Sequence, residues 1–221
     1  MLAQLADDLW VIQHPSTFIG LNFNTRMTAV RLPDGSLLLY SPIPITDTLA
    51  AELDRLGPVR HIVAPNLFHH LFVGDAAGRW PEAKVYAPNG LAKKRPDLTI
   101  HHAPDALPDS IGAISLAGMA PLSETVLLHA PSRTVISCDL VLNITDPKGW
   151  WTKLYLSLSG INGRPGVSKV VAMSAFKDRT AMRASLDEIL AFDFDRLILA
   201  HGDVVLTDGK RVLRESFEWM K

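Results

Sequence analysis

The sequence predicts an α/β domain of two mixed sheets packed face to face with helices outside. Three observations carry that reading. Residues 1–44 are rich in short apolar runs and carry no helical spacing. Strand–helix pairs follow in the middle, and a helix–strand–helix order closes the chain. The two halves share this texture without a sequence repeat, as expected when each contributes one sheet and its covering helices. The length of 221 residues suits one domain spanning 1–221, and a hydrophobic content of 48% suffices for its core.

Taken in order, residues 9–13 and 18–23 read as strands. Residues 28–32 and 37–40 flank Pro33-Asp34-Gly35-Ser36, a hairpin turn with glycine where positive φ is easy. Thr46 and Asp47 can cap a helix reaching Leu56, with Leu49, Leu53 and Leu56 on one face and Gly57 as its stop. Residues 60–64 form an apolar run with strand character, and Pro65-Asn66-Leu67-Phe68-His69-His70 follows at its carboxyl end. Residues 84–87 read as a short strand, 89–95 as a short polar helix or loop, 99–103 as extended, and 104–110 as loop. Apolar runs at 114–117, 125–129 and 134–137 are separated by turns at Pro121 and Pro131-Ser132. Helical spacing returns at 147–159 and at 179–192, where Met182, Leu186, Ile189 and Leu190 share a face. Residues 195–200 read as a strand ending in His201-Gly202-Asp203, and 207–219 as a helix with Val212, Leu213 and Phe217 inward.

Composition excludes several functions. Charges balance to a formal net of −1, so no overall field invites nucleic acid or an anionic membrane. Cys138 is the single cysteine, which fits a reducing, cytoplasmic compartment and reads as a packed thiol. Met1 to Trp10 carries Asp7 and Asp8 and no basic stretch, unlike a signal peptide. No apolar stretch approaches the roughly 18 residues of an integral membrane segment. There is no Gly-x-Ser-x-Gly elbow, phosphate-binding loop or dinucleotide fingerprint.

Metal-capable side chains occur at three strand ends: His69-His70, Asp139 and His201. In an α/β sheet that edge is where ligands bind, and imidazoles with one carboxylate suit zinc or iron. The competing reading for each is a helix cap or a hydrogen-bonded rim residue. Glu124 either adds a carboxylate or sits on the surface at a strand start, His129 faces the opposite rim, and His101-His102 read as surface.

The order and spacing of these residues resemble the metallo-β-lactamase fold superfamily, over about residues 9–205. That family carries His-x-His-x-Asp-His after a strand, then Gly-His-Thr-Pro-Gly-Ser, a Gly-Asp, and a late Gly-His. Here His69-His70-Leu71-Phe72 is similar to the end of the first motif and Gly118-Met119-Ala120-Pro121-Leu122-Ser123 to the second. Ser137-Cys138-Asp139 is similar to the third and Ala200-His201-Gly202 to the fourth. The resemblance implies a four-layer αββα sandwich and a branch of uncharacterised metal-dependent hydrolases. The donors of the family's first metal site are replaced by Pro65, Leu67 and Met119, so one site is lost. At its second site His69 stands where the family has Asp, while His70, Asp139 and His201 match, so the resemblance implies these four as metal ligands, with Asp139 as the catalytic carboxylate. A second registration, with Asn66, Phe68 and His70 on the motif, leaves His69 unused and ranks lower.

Three functions follow. The first is a hydrolase with one divalent zinc or iron ion acting on a small molecule. The second is an inactive relative that binds a ligand or partner, and the third is a single-iron redox protein. A homodimer is left open. Residues 160–166 read as a loop that can carry substrate contacts, with Arg164 the residue to watch if the substrate is an anion. Gly149-Trp150-Trp151-Thr152-Lys153-Leu154-Tyr155 reads first as a helix covering a sheet face; the competing reading is an aromatic lid or a membrane- or partner-facing patch.

Overall fold

A computed structural model describes residues 1–120 and 122–220. Pro121, read above as a turn residue, lies outside the described residues. The first sheet contains β1 (Ala3–Ala6), β2 (Leu9–Phe18), β3 (Leu21–Arg31), β4 (Leu37–Tyr40), β5 (Val59–Val63) and β6 (Lys84–Tyr86), side by side in chain order. It is antiparallel from β1 to β4 and parallel from β4 to β6. The second sheet contains β7 (Gly112–Ser115), β8 (Thr125–His129), β9 (Thr134–Ile136) and β10 (Arg196–Ile198), in the order β10-β9-β8-β7, with β10 and β9 parallel. Both sheets are therefore mixed.

The layering follows from period-2 alternation. Leu38 and Tyr40 of β4 point between the sheets, where Val30 and Val63 meet Leu127, Ile136, Cys138 and Ile198. Leu37 and Leu39 point the other way, onto Leu49 and Leu53 of α1 (Asp47–Leu56) and Val73 and Ala76 of α2 (Val73–Arg79). On the far side, Val126, Val135 and Leu197 pack against Met182, Leu186 and Ile189 of α6 (Arg179–Ala191) and Leu213 of α7 (Gly209–Ser216). Remaining helices are α3 (Leu91–Lys94), α4 (Trp150–Leu158) and α5 (Lys169–Ala175). Thr46 caps α1 by accepting from the Leu49 N–H, as its sequence suggests.

Some boundaries move. Residues 18–23 are not one strand: β2 and β3 pair without interruption from Leu9↔Val30 to Phe18↔Leu21, and the chain turns at Ile19 (φ 50) and Gly20 (φ 75). Two successive positive φ values give the twist that a two-residue hairpin needs, even with isoleucine in the first place. Residues 99–103 make only the single bridge Tyr86↔His102. The terminal helix is shorter than expected, although Leu213 and Phe217 are buried. No helix among the described residues is long and apolar enough to cross a membrane.

Candidate metal centre

Three chain segments leave their strands at one edge of the sandwich. The segment after β5 carries His69, the segment after β9 carries Asp139, and the segment after β10 carries His201. Their side chains meet. His69 Nε2 lies 3.1 Å from His201 Nε2, and Asp139 Oδ1 lies 3.6 Å from the first and 3.2 Å from the second. All three side chains are largely withdrawn from solvent.

Local hydrogen bonds fix each corner. Asn66 is fully buried, and its Oδ1 accepts from the N–H groups of Phe68 and His69, both at 2.8 Å. That closes a turn and aims the His69 ring inward. The Asn66 Nδ2 donates to Asp139 Oδ2 at 2.7 Å, leaving Oδ1 toward the imidazoles. Glu124, also fully buried, accepts from the N–H groups of Cys138 and Asp139 at 2.8 Å each. Burial and then the Asp139 charge push the Glu124 carboxyl up to about 8.

Strand β3 supplies the other wall. The Asn24 carbonyl accepts from His201 Nδ1 at 2.6 Å, and Asn24 Oδ1 accepts from the Gly202 N–H at 2.8 Å. Thr25 and Ser41 hydroxyls lie 3.4 and 3.0 Å from His69 Nδ1. The Arg26 guanidinium, drawn down to about 10 by burial against the opposing pull of Asp203, bonds the carbonyls of Leu199 and Gly202. Gly202 has φ 89, and a Cβ there would sit 1.9 Å from the Asn143 carbonyl oxygen. Only glycine lets the His201 segment lie this close to its neighbour.

These contacts decide the tautomer of His201. A carbonyl can only accept, so Nδ1 carries the proton and a neutral ring offers a lone pair at Nε2. In the tautomer of His69 that carries its proton on Nδ1, beside the Ser41 and Thr25 hydroxyls, three acceptors converge on one point. Such a face needs a proton or a cation at its centre. Four ligands held tetrahedrally about 2.0–2.1 Å from a zinc-sized ion are about 3.3 Å apart, close to the edges of this triangle. The donor set and its spacing therefore fit a metal ion held by three protein ligands. The Cys138 thiol is buried; its Sγ and the ligand atoms of His69 and Asp139 lie within 4.8 Å of one another. Burial and the neighbouring Asp139 and Glu124 push the thiol well up.

Without a metal, burial works against the charged forms of both His201 and Asp139, yet their pairing prevails. His201 is raised and Asp139 falls well below the usual carboxylate range through His69 and His201.

His70, expected as a fourth ligand, has a protein partner on one of its ring nitrogens. Its Nδ1 accepts from Arg95 Nη1 at 3.2 Å, and its carbonyl from the same nitrogen at 3.3 Å. Burial, with Lys94 and Arg95 beside it, lowers its pKa. Of the two histidines, His69 has the contact with Asp139, at 3.6 Å. Glu124, readable as a surface acid, is instead the buried support of the Asp139 backbone. Met119 is core, without a donor to a metal. His129 bonds Ser132 at 2.7 Å, and Arg164 bonds the Gly160 carbonyl. Helix α4 buries Thr152 and Leu156 and leaves Trp150 75% and Trp151 44% exposed, so the tryptophans do not cover a sheet face.

Solved structures share this whole architecture. The metallo-β-lactamase DIM-1 exposed to ceftazidime is 12% identical, with a TM-score of 0.69 over 100% of this chain and 97% of its own. The metallo-β-lactamase FIM-1 from Pseudomonas aeruginosa in its mono-zinc form is 12% identical, with a TM-score of 0.63 over 97% and 95%. The chain has the metallo-β-lactamase fold. The metal-soaked Flv1 flavodiiron core from Synechocystis sp. PCC6803 shares it at 11% identity and a TM-score of 0.69, over 100% of this chain and 60% of its own. A family profile described as a domain of unknown function (DUF4336) matches residues 6–91. No curated protein sequence matches the chain. At these identities the likeness speaks for the fold, and the metallo-β-lactamase fold here carries the donor set described above.

Proposed function

We propose that the chain is a metal-dependent hydrolase with a single metal site, held by His69, Asp139 and His201. The observation that carries this reading is the triangle of two imidazole nitrogens and one carboxylate oxygen, 3.1–3.6 Å on a side. When bound, a divalent zinc or iron ion supplies Lewis acidity toward water and toward a carbonyl or phosphoryl oxygen. The protein's own part is orientation. Asn24 fixes the His201 tautomer, Asn66 fixes which oxygen Asp139 presents, and Glu124 holds the backbone from which Asp139 projects. His70 is tied to Arg95 through Nδ1.

A small-molecule substrate is supported by a cleft of about 330 Å³ lined by Ser16, Thr17, Asn22, Phe23, Asn24 and Lys148, among others. Its Phe23 ring stands 5.5 Å from that of His201, so the cleft opens beside the centre. The polar groups in its wall suit a substrate with hydrogen-bonding substituents.

The test is elemental analysis of protein purified without added metal, followed by ester, thioester and phosphodiester panels. Stoichiometric zinc or iron, with turnover that disappears in Asp139→Ala, is expected. Protein that takes up no transition metal on soaking refutes the reading. Metal uptake without turnover would turn it toward a ligand-binding descendant. The histidine-rich donor set together with the flavodiiron likeness favours one second reading, a single-iron redox protein. Iron-replete cells yielding only zinc-loaded protein would eliminate it.

A further inference from the structure

An apolar edge surrounds the mouth of the centre and is left uncovered. The β2–β3 turn exposes Phe18 at 53% and Ile19 at 76%, and the segment after β5 exposes Phe68 at 44%. The Phe18 and Phe68 rings meet edge-on at 6.5 Å. Trp151 continues the surface: its indole lies against the turn, 3.6 Å from where a Gly20 Cβ would stand. Trp150 follows, 5.7 Å from Trp151, and α4 extends the edge through Leu154 and Leu158. Thr152 Oγ1 accepts from the Asn22 N–H at 3.0 Å, which ties the helix to the hairpin. The apolar groups are thus held out on a fixed framework.

Charge is segregated on the same segment. Between residues 147 and 177 the chain carries Lys148, Lys153, Arg164, Lys169 and Lys177, and all 23 of its carboxylates lie elsewhere. All five cations are exposed. Lys148 pairs with Asp146, whose charge Lys153 also feels, and Arg164 bonds the Gly160 carbonyl, so Lys169 is the cation best placed to meet an outside anion and Lys153 the next. Tryptophan, leucine and lysine on one exposed edge form the combination that settles at a headgroup boundary, with apolar groups entering and ammonium groups meeting phosphate.

We propose that this edge seats the protein on a lipid surface carrying anionic headgroups. The hairpin tip and α4 enter the headgroup layer, and the mouth beside Phe68 and His69 faces the membrane. Charge complementarity selects this occupant: a neutral apolar partner would leave the excess of cations unanswered. The seating stands whether or not the centre is catalytic.

The test floats the full chain with vesicles of phosphatidylcholine alone and of phosphatidylcholine with phosphatidylserine. The expected result is association with the anionic vesicles only, weakened by salt and accompanied by a blue shift of tryptophan emission. A Trp150→Ser/Leu154→Ser variant and a Lys153→Glu/Lys169→Glu variant should each lower the association by about tenfold or more. These side chains are exposed, so unchanged melting temperatures confirm intact folding. Wild-type protein that ignores anionic vesicles overturns the proposal, as does unchanged association in both variants. A concentration-dependent dimer that buries Trp150, without vesicle binding, also overturns it and assigns the edge to a second copy.

Discussion

Asn66→Asp is the substitution that interrogates the centre most directly. The change preserves shape and keeps an oxygen for the Phe68 and His69 amides, which Asn66 Oδ1 accepts at 2.8 Å. It replaces the donor 2.7 Å from Asp139 Oδ2 by a second carboxylate oxygen, with Glu124 Oε2 only 3.5 Å from the same position. Two carboxylate charges about 4 Å apart at an effective dielectric of about 20 repel by about 4 kcal/mol, or about three pH units. In chelator-treated protein the introduced carboxyl should therefore keep its proton up to about pH 7, whereas in the unfolded chain it releases it near pH ~3.9. Between those values the folded variant binds the extra proton, so its stability relative to wild type falls as pH rises, by about 1.4 kcal/mol per pH unit. Near the acid end the protonated group can donate to Asp139, and the variant should approach wild type. On the alkaline side the deficit levels near about 4 kcal/mol. Urea unfolding followed by tryptophan fluorescence across this range measures it. Asn66→Ala serves as the control, with a cost of about 1–3 kcal/mol that does not follow this course. A deficit in Asn66→Asp that is flat with pH would refute the placement of Asn66 against Asp139.

Three further outcomes are expected. His69→Ala and His201→Ala should each abolish retention of a transition metal in equilibrium dialysis, while His70→Ala retains it, because that ring is engaged with Arg95. Gly202→Ala combines a positive φ with a Cβ 1.9 Å from the Asn143 oxygen, so a loss of about 2–4 kcal/mol in calorimetric stability is expected. Metal-stripped protein should be most stable between the two limits set by its ion pair. His201, raised on balance by Asp139, contributes fully below about pH 6.5 and loses that contribution as pH rises through its folded pKa. Asp139, depressed, contributes above about pH 3.9 and loses it as pH falls through its own. Glu124, pushed up from 4.5 to about 8, adds a decline that runs between those two values as pH rises. A melting temperature that stays flat as pH rises above about 6.5 would contradict this assignment.

The layers were legible because they rest on local patterns. Alternation in β4, the Thr46 cap and the donors placed directly after β5, β9 and β10 are properties of neighbouring residues. What escaped depends on residues far away in the chain. Glu124 looks like a surface acid until the amides of Cys138 and Asp139 fold over it. Asn66 lies within the motif region, but its role requires Asp139, 73 positions later. His69 and His70 look equivalent in sequence, and the Asn66 turn separates them. The Ile19-Gly20 turn lacks the usual Asn-Gly signal, so the hairpin was divided at the wrong place. Overall neutrality concealed a segment with five cations and no carboxylate.

Strand β3 gives the molecule a temporal order as well as a wall. Asn24 and His201 are 177 positions apart, and Arg26 reaches Leu199 across 173. Contacts of such span close late, since a long intervening loop must first be confined. His201 can dock on Asn24 only after the 176 residues between them have left the ribosome. A metal ion at the proposed centre would be held by all three side chains only once the segment carrying His201 has been synthesised.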